Sequence, residues 1–260
     1  MAYWIDSHAH LAFDEFKDDF DSYIQRALDA NVKRMMCVCL NVKELNYAFE
    51  LKEKYPFIDL AVGYYPLDIP KITEQDWIDL EEAVKDDRVL AVGEIGLDYF
   101  WDTSYNDLQK ECFIRQIELA NSVNKPIIVH TRDAHEDAYE ILAKHTPIKG
   151  GIMHCFSGGL EMAKKLAPLG MYFALGGPLT YKNSTEGKDV VKGMPLSTIL
   201  IETDCPSLPP EAHAEEASET SYVHYPGETV MELTGLDEET VQKQMIENYE
   251  KLFGPLNTKA

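Results

Sequence analysis

Pro126-Ile127-Ile128-Val129-His130 is a short apolar run that ends in a histidine, and a stretch of helical period follows it at 135–143. The run is too short for a helix and shows no polar alternation. Such a run reads as a strand buried on both faces, as in a parallel sheet. The same unit recurs along the chain. Apolar runs at 3–5, 35–40, 58–62, 89–92, 152–153, 171–175 and 198–201 alternate with helix-like stretches at 20–30, 43–54, 76–84, 108–123 and 160–169, and with a Gly-broken segment to 191. Two further helical stretches, 226–233 and 238–252, follow an irregular region at 205–222 that reads as a long surface loop. Eight strand–helix pairs in about 250 residues is the arithmetic of a TIM (β/α)8 barrel, an α/β fold. We therefore expect one barrel domain over 1–260. The competing fold is an open doubly wound sheet, in which the strand order reverses.

Composition narrows the function. Hydrophobic residues make up 45% of the 260 and charged residues 27%, which excludes a disordered or fibrous chain. No window approaches ~18 consecutive apolar residues, so no transmembrane helix is expected. The first residues lack the basic start and long apolar run of a secretory leader. Lys and Arg number 24 against 45 Asp and Glu, a net charge of −21. Long-range attraction to nucleic acid or an anionic membrane is excluded, so any nucleic-acid contact must be local. Weak binding of long duplex DNA at physiological salt is the expected result of a filter-binding titration. The five cysteines show no zinc-type pairing, which fits a reducing, cytoplasmic setting.

Metal-ligand residue types stand where the apolar runs end. The first run leads into Asp6-Ser7-His8-Ala9-His10, the fourth into Gly93-Glu94, the fifth into His130, the sixth into His154 and the eighth into Glu202-Thr203-Asp204. In a βα barrel the C-terminal strand ends share one rim, where active sites lie. His8, His10, Glu94, His130, His154 and Asp204 would converge there. Each has an ordinary structural reading alone, as a core histidine, a paired carboxylate or a turn cap. Together they point to a cation, because unpaired charges are costly to bury. Six ligands are too many for one tetrahedral ion that keeps a position open. Two ions fit better, with Glu94 as the bridge, since a carboxylate can join two metals and a neutral imidazole cannot. The N/O donor set suits Zn²⁺, Mn²⁺, Fe²⁺ or Ni²⁺, with Mg²⁺ less favoured by the imidazoles.

Five segments resemble the TatD family of metal-dependent hydrolases assigned as deoxyribonucleases. They are Asp6-Ser7-His8-Ala9-His10-Leu11, Gly93-Glu94-Ile95-Gly96-Leu97-Asp98-Tyr99, Val129-His130-Thr131-Arg132-Asp133-Ala134, His154-Cys155-Phe156-Ser157-Gly158 and Glu202-Thr203-Asp204-Cys205-Pro206. The resemblance covers almost the whole chain, down to Glu247-Asn248 and Leu252-Phe253. It implies a TIM barrel with one divalent cation held by His8, His10, Glu94 and Asp204, and another by Glu94, His130 and His154. It implies hydrolysis of phosphodiester bonds, often from the 3′ end of DNA. A metal-bound hydroxide is the expected nucleophile, with Glu94 and Asp204 catalytic, and Asp204, at the end of the last strand, could act as general base, a role that needs only hydrogen-bond reach. DNA ends or a short nucleotide would be the substrate, with no membrane and no obligatory protein partner.

The chain departs from the family at two places. Tyr65 precedes Pro66 where the family carries a histidine. The loop after Cys205 is acidic, Glu211-Ala212-His213-Ala214-Glu215-Glu216-Ala217-Ser218-Glu219, where the family has a basic, Asn-containing stretch. Arg132, Tyr65, Asp98 and Glu202 are candidates for substrate contact. For Arg132 the alternative is a salt bridge to Asp133 or Asp98, and for Glu202 it is a further ion or a buried structural role. Tyr99-Phe100-Trp101 could stack a base or simply pack a loop. His135, His145, His213 and His224 read as surface or capping residues. Two rival functions stay open: a hydrolase of carboxylic esters or amides on the same centre, and a metal-binding barrel without nuclease activity.

Overall fold

The computed structural model describes residues 2–256. Met1 and residues 257–260, part of the expected 1–260 domain, lie outside the described residues. Among the described residues there are eight strands: β1 (Trp4–Ala9), β2 (Val32–Cys39), β3 (Ile58–Val62), β4 (Val89–Asp98), β5 (Ile127–Arg132), β6 (Gly151–Met153), β7 (Met171–Leu175) and β8 (Ile199–Ile201). They pair in sequence order, each parallel to the next. A doubly wound sheet would reverse its order midway, so that alternative is excluded. The barrel closes just past β8. The Asp204 N–H donates to the His8 carbonyl at 2.9 Å, and Ser7 Oγ donates to the Ile201 carbonyl at 2.9 Å. The buried Asp6 carboxylate accepts from the Thr203 N–H at 3.0 Å and from its hydroxyl at 2.6 Å.

The helices are α1 (Asp14–Lys17), α2 (Phe20–Asp29), α3 (Val42–Lys54), α4 (Glu74–Ala83), α5 (Asn106–Ser122), α6 (His135–Lys144), α7 (Gly159–Leu166), α8 (Glu186–Gly193), α9 (His224–Thr234) and α10 (Glu238–Phe253). Local chemistry sets several ends. Asn41 accepts from the Glu44 N–H at the start of α3, Asp237 does the same for Thr240 at α10, and Thr73 and Asp76 form a reciprocal capping box at α4. Gly235, at φ 71°, ends α9 in the left-handed conformation that glycine adopts without a Cβ penalty. The outward strand residues form one core with the helices. The inward ones, among them Ile5, Met36, Ala61, Ala91, Ile128, Ile152, Ala174 and Leu200, form a second core, and Tyr249 and Phe253 of α10 plug its N-terminal end.

Several strand pairs slip in register, and two of the slips, one in β1 and one in β4, aim the site. Between the pairs Asp6–Met35 and Ala9–Cys37, β1 spends three steps against two on β2. Between Gly93–Ile128 and Ile95–Val129, β4 spends two steps against one on β5. Each extra residue is a bulge that shifts the period-two alternation by one. Without the first, Ile5 would carry Ser7 and Ala9 inward and leave His8 and His10 facing the helices. Without the second, Glu94 would point outward. Gly93 is required at its slip, because a Cβ there would lie 2.6 Å from Ile128 Cβ.

Two expectations need correction. The run at 89–92 does not end its strand before Glu94, since β4 continues to Asp98 and Glu94 lies inside it. The region at 205–222 is not simply a surface loop. Cys205 and Ser218 to Ser221 are buried, and Glu219 anchors them through a bidentate pair with Arg26 of α2 at 2.7–3.0 Å. A loop that covers the barrel mouth must bury polar residues, so its composition reads as exposed although its position is not.

Candidate metal centre

All six candidate ligands meet at the C-terminal mouth of the barrel, and the Glu94 carboxylate divides between two donor sets. Its Oε2 lies 3.4 Å from His8 Nε2 and 3.5 Å from His10 Nε2. Asp204 Oδ1 completes that set at 3.5 Å from His8 Nε2 and 3.3 Å from His10 Nε2, and the two imidazole nitrogens are 3.3 Å apart. Its Oε1 lies 3.0 Å from His130 Nδ1 and 3.0 Å from His154 Nε2, which are 3.3 Å from each other. Donors about 2.0–2.2 Å from a tetrahedral ion stand roughly 3.3–3.6 Å apart. The first set has that spacing, and the second is slightly tighter. The residues present therefore fit two divalent cations sharing one carboxylate.

Outer ring nitrogens select the tautomers of His10 and His130. His10 Nδ1 donates to the Val38 carbonyl at 3.1 Å, which leaves Nε2 to bind a cation. His130 Nε2 lies 3.0 Å from Asp98 Oδ2, which leaves Nδ1. His154 Nδ1 lies 3.4 Å from Glu202 Oε1, whose own partner is the Cys155 N–H at 2.6 Å. His8 Nδ1 and His154 Nδ1 have no hydrogen-bond partner among the described residues, and the two rings stack with centroids 3.9 Å apart. Asp98 and Glu202 are fully buried behind the imidazoles and do not line the cavity. Asp98 accepts from the Phe100 N–H and the Tyr65 hydroxyl and faces His130, whereas Glu202 Oε1 accepts from the Cys155 N–H and its Oε2 has no partner among the described residues. Replacing Asp98 by Asn should weaken the cation on the Glu94–His130–His154 set about 10–100-fold and the other little. Stepwise calorimetric titration with Zn²⁺ would show this, and unchanged affinity at both sets would refute it.

The site holds protons when it holds no cation. Burial opposes a charge on His10, yet Asp204 and Glu94 outweigh it and push the imidazole up to about 9. His154 and His130 are likewise raised against the cost of burial, by Glu94 with Glu202 and by Asp98 with Glu94. Burial alone would raise Glu94, but the surrounding imidazoles, His154 first, hold it well below the usual carboxylate range. Below about pH 9 an entering cation must displace the His10 proton. Metal affinity should therefore fall about tenfold per pH unit for each displaced proton as the pH drops below that value. Zn²⁺ titrations in buffers of different ionisation heat would count the protons released, and a pH-independent affinity would contradict the assignment.

Sequence comparison places the chain. A family profile described as TatD related DNase matches residues 5–254. The chain belongs to the TatD family. It is 41% identical over 249 residues to the Bacillus subtilis protein named uncharacterized metal-dependent hydrolase YabD, covering 95% of this chain and 98% of that one. It is 31% identical over 253 residues to the Escherichia coli K12 protein named uncharacterized metal-dependent hydrolase YcfH, covering 96% and 95%. The crystal structure of YjjV, a TatD homologue of Escherichia coli K12, has a TM-score of 0.92 to this chain with 28% identity, over 96% of this chain and 97% of that one. As a TatD family member the chain is a metal-dependent hydrolase. No helix among the described residues is long and apolar enough to cross a membrane.

Beside the TatD family centre lies a cavity of about 470 Å³, lined by Tyr65, His130, Arg132, His154, Phe156, Leu179, Asp204 and Leu208 among others. Tyr65 donates to Asp98 Oδ2 at 3.1 Å and sits 3.4 Å from His130 Nε2. Burial and then the nearby Glu94 and Asp98 charges raise its hydroxyl, so it remains a donor. Arg132 makes neither of the salt bridges considered for it; its guanidinium lies 3.7 Å from the Phe100 ring centre. His135 is half-buried against Phe156, their ring centres 5.9 Å apart, and is not a plain surface residue. Two positioning residues carried no signal in the sequence. Gln116 accepts from the Tyr64 N–H at 2.7 Å and donates to its carbonyl at 3.1 Å, and Gln109 does the same for Asp98 at 2.8 and 3.0 Å. They stand two turns apart on the buried face of α5. A seven-residue spacing of glutamines on an apolar face is the cue that could have found them.

Proposed function

We propose that this TatD family hydrolase cleaves phosphodiester bonds with two divalent cations, Zn²⁺ or Mn²⁺ in preference to Mg²⁺. DNA ends or short nucleotides are the proposed substrates. The observation that carries the reading is the division of the Glu94 carboxylate between two donor sets. When bound, the ions would supply a water activated near neutral pH and charge neutralisation for the phosphoryl oxygens. His8, His10, Glu94 and Asp204 would hold one, and Glu94, His130 and His154 the other. Asp204 lines the cavity and Glu94 does not, so Asp204 is the carboxylate placed to accept a proton from the attacking water. Arg132 lines the same cavity and is the basic side chain available to a phosphate there. The family description, TatD related DNase, supports the substrate class.

The test is metal-dependent hydrolysis. Metal-stripped protein receives Mg²⁺, Mn²⁺ or Zn²⁺ with a single-stranded oligonucleotide and with bis(p-nitrophenyl) phosphate, beside an Asp204→Asn control. Cleavage of both, a dead control and competitive inhibition by free phosphate are the expected results. Cleavage of carboxylic esters or amides with indifference to phosphate would favour the rival hydrolase. Tight metal binding with no turnover of any ester would favour a binding barrel.

A further inference from the structure

The β4–α5 loop presents two large aromatic side chains to solvent at the mouth of the barrel. Phe100 is 49% exposed and Trp101 67%, whereas Trp4 and Trp77 are 2% and 6% exposed. The third aromatic of the run behaves differently: Tyr99 donates its hydroxyl to Asp137 at 2.8 Å and is spent on packing. Phe100 and Trp101 meet edge to face with centroids 4.7 Å apart. The Arg132 guanidinium lies 3.7 Å from the Phe100 centre and 5.4 Å from that of Trp101. No carboxylate pairs with Arg132 among the described residues, so its N–H edges are free while one face rests on a ring. Arg132 stands two residues beyond His130 on β5, roughly 6.6 Å along the strand. The loop is tied to the centre itself, through the Phe100 N–H to Asp98 Oδ1 at 3.0 Å and the Tyr99 N–H to the Arg132 carbonyl at 2.9 Å.

We infer that Trp101 and Phe100, with Arg132 beside them, form a platform that stacks a nucleobase of a substrate whose phosphate lies at the metal centre. The inference rests on the phosphodiester reading above. Exposed aromatic faces stack any base, whatever its sequence, and an arginine next to them adds a phosphate contact. With a net charge of −21 the protein cannot gather an anionic substrate by long-range attraction. Stacking does not depend on net charge and supplies the affinity that the field does not. The platform therefore selects a base-bearing ester over a bare phosphate ester.

The test compares thymidine 5′-monophosphate with 2-deoxyribose 5-phosphate, which has the same phosphate and sugar but no base. Binding to the Zn²⁺-loaded full-length chain is read by calorimetry. Wild type should prefer the thymidine ligand by about tenfold or more. Trp101→Ala should bring that ratio close to one, and Trp101→Phe, which keeps a ring, should retain most of it. Tryptophan emission should change with the thymidine ligand, because the other two indoles are buried. Equal affinity in wild type, or an undiminished preference in Trp101→Ala, overturns the platform while leaving the phosphodiester reading intact. Binding of neither ligand overturns both.

Discussion

Glu94→Gln should lower the hydrolysis rate by about 10³-fold or more and, on the proposed two-cation reading, reduce bound metal from two ions to one or fewer. The residue sits among four imidazole nitrogens at 3.0–3.5 Å, two on each carboxylate oxygen. The amide keeps the shape of the side chain but turns one ligand oxygen into an N–H donor and removes the negative charge. Loss of the shared ligand weakens both cations together, and a metal centre supplies several kcal/mol of transition-state stabilisation, about 1.4 kcal/mol per tenfold in rate. A second readout separates this from misfolding. Glu94 is the largest of the influences that lift His154, so the His154 imidazole should titrate at lower pH in the metal-free variant, as read by NMR. Two ions still bound and an undiminished rate would sink the bridging assignment. A variant that loses metal but keeps its rate would remove metal from the reaction.

The second large effect lies at the opposite end of the barrel. Arg34 of β2 is 1% exposed. Its Nε donates to Asp59 Oδ2 at 2.6 Å, its Nη1 donates to the Gly254 carbonyl at 2.9 Å, and its guanidinium lies 4.7 Å from the Tyr249 ring centre. Tyr249 of α10 donates its hydroxyl to the same Asp59 oxygen at 2.9 Å, and Lys52 lies 3.7 Å from the other. Asp59→Ala strands a buried guanidinium and a buried hydroxyl. Breaking such a pair from one side costs about 3–5 kcal/mol, because the remaining charge stays buried without a partner. A degree-scale conversion of about 2–4 °C per kcal/mol for a chain of this size puts the loss in Tm near 10 °C. Asp59→Asn keeps an acceptor and should lose less. Thermal and urea unfolding of both variants would check this, and a loss below about 1 kcal/mol for the alanine variant would show that water relieves the charge. Zn²⁺ stoichiometry should stay at the wild-type value in both, since the network is at the other end of the strands.

The sequence by itself determined the repeating strand–helix unit, the parallel α/β class and the six residues where the apolar runs end, while the strand order that closes the barrel came from the structure. The first three are local features. An apolar run with no alternation has no face to show to water, and a His, Glu or Asp at its end is visible without knowing any neighbour. Family resemblance read the same six residues as ligands of two cations. Only the tertiary structure decided how they face. By strict alternation from Ile5 and from Ala91, His8, His10 and Glu94 would turn toward the helices. One extra residue in β1 and one in β4 turn them inward, and those slips exist only as register against β2 and β5. The same holds for the outer partners. Asp98 and Glu202 read as rim residues from sequence, and are fully buried at 3.0 Å from His130 Nε2 and 3.4 Å from His154 Nδ1, Asp98 because β4 runs on to it. Arg132 could have paired with either neighbouring aspartate. It rests instead on Phe100, because Asp98 is already occupied by His130 and Tyr65. Composition shows which groups can bind a cation, but the company each one keeps is set by strand register and burial, which couple residues far apart in the chain.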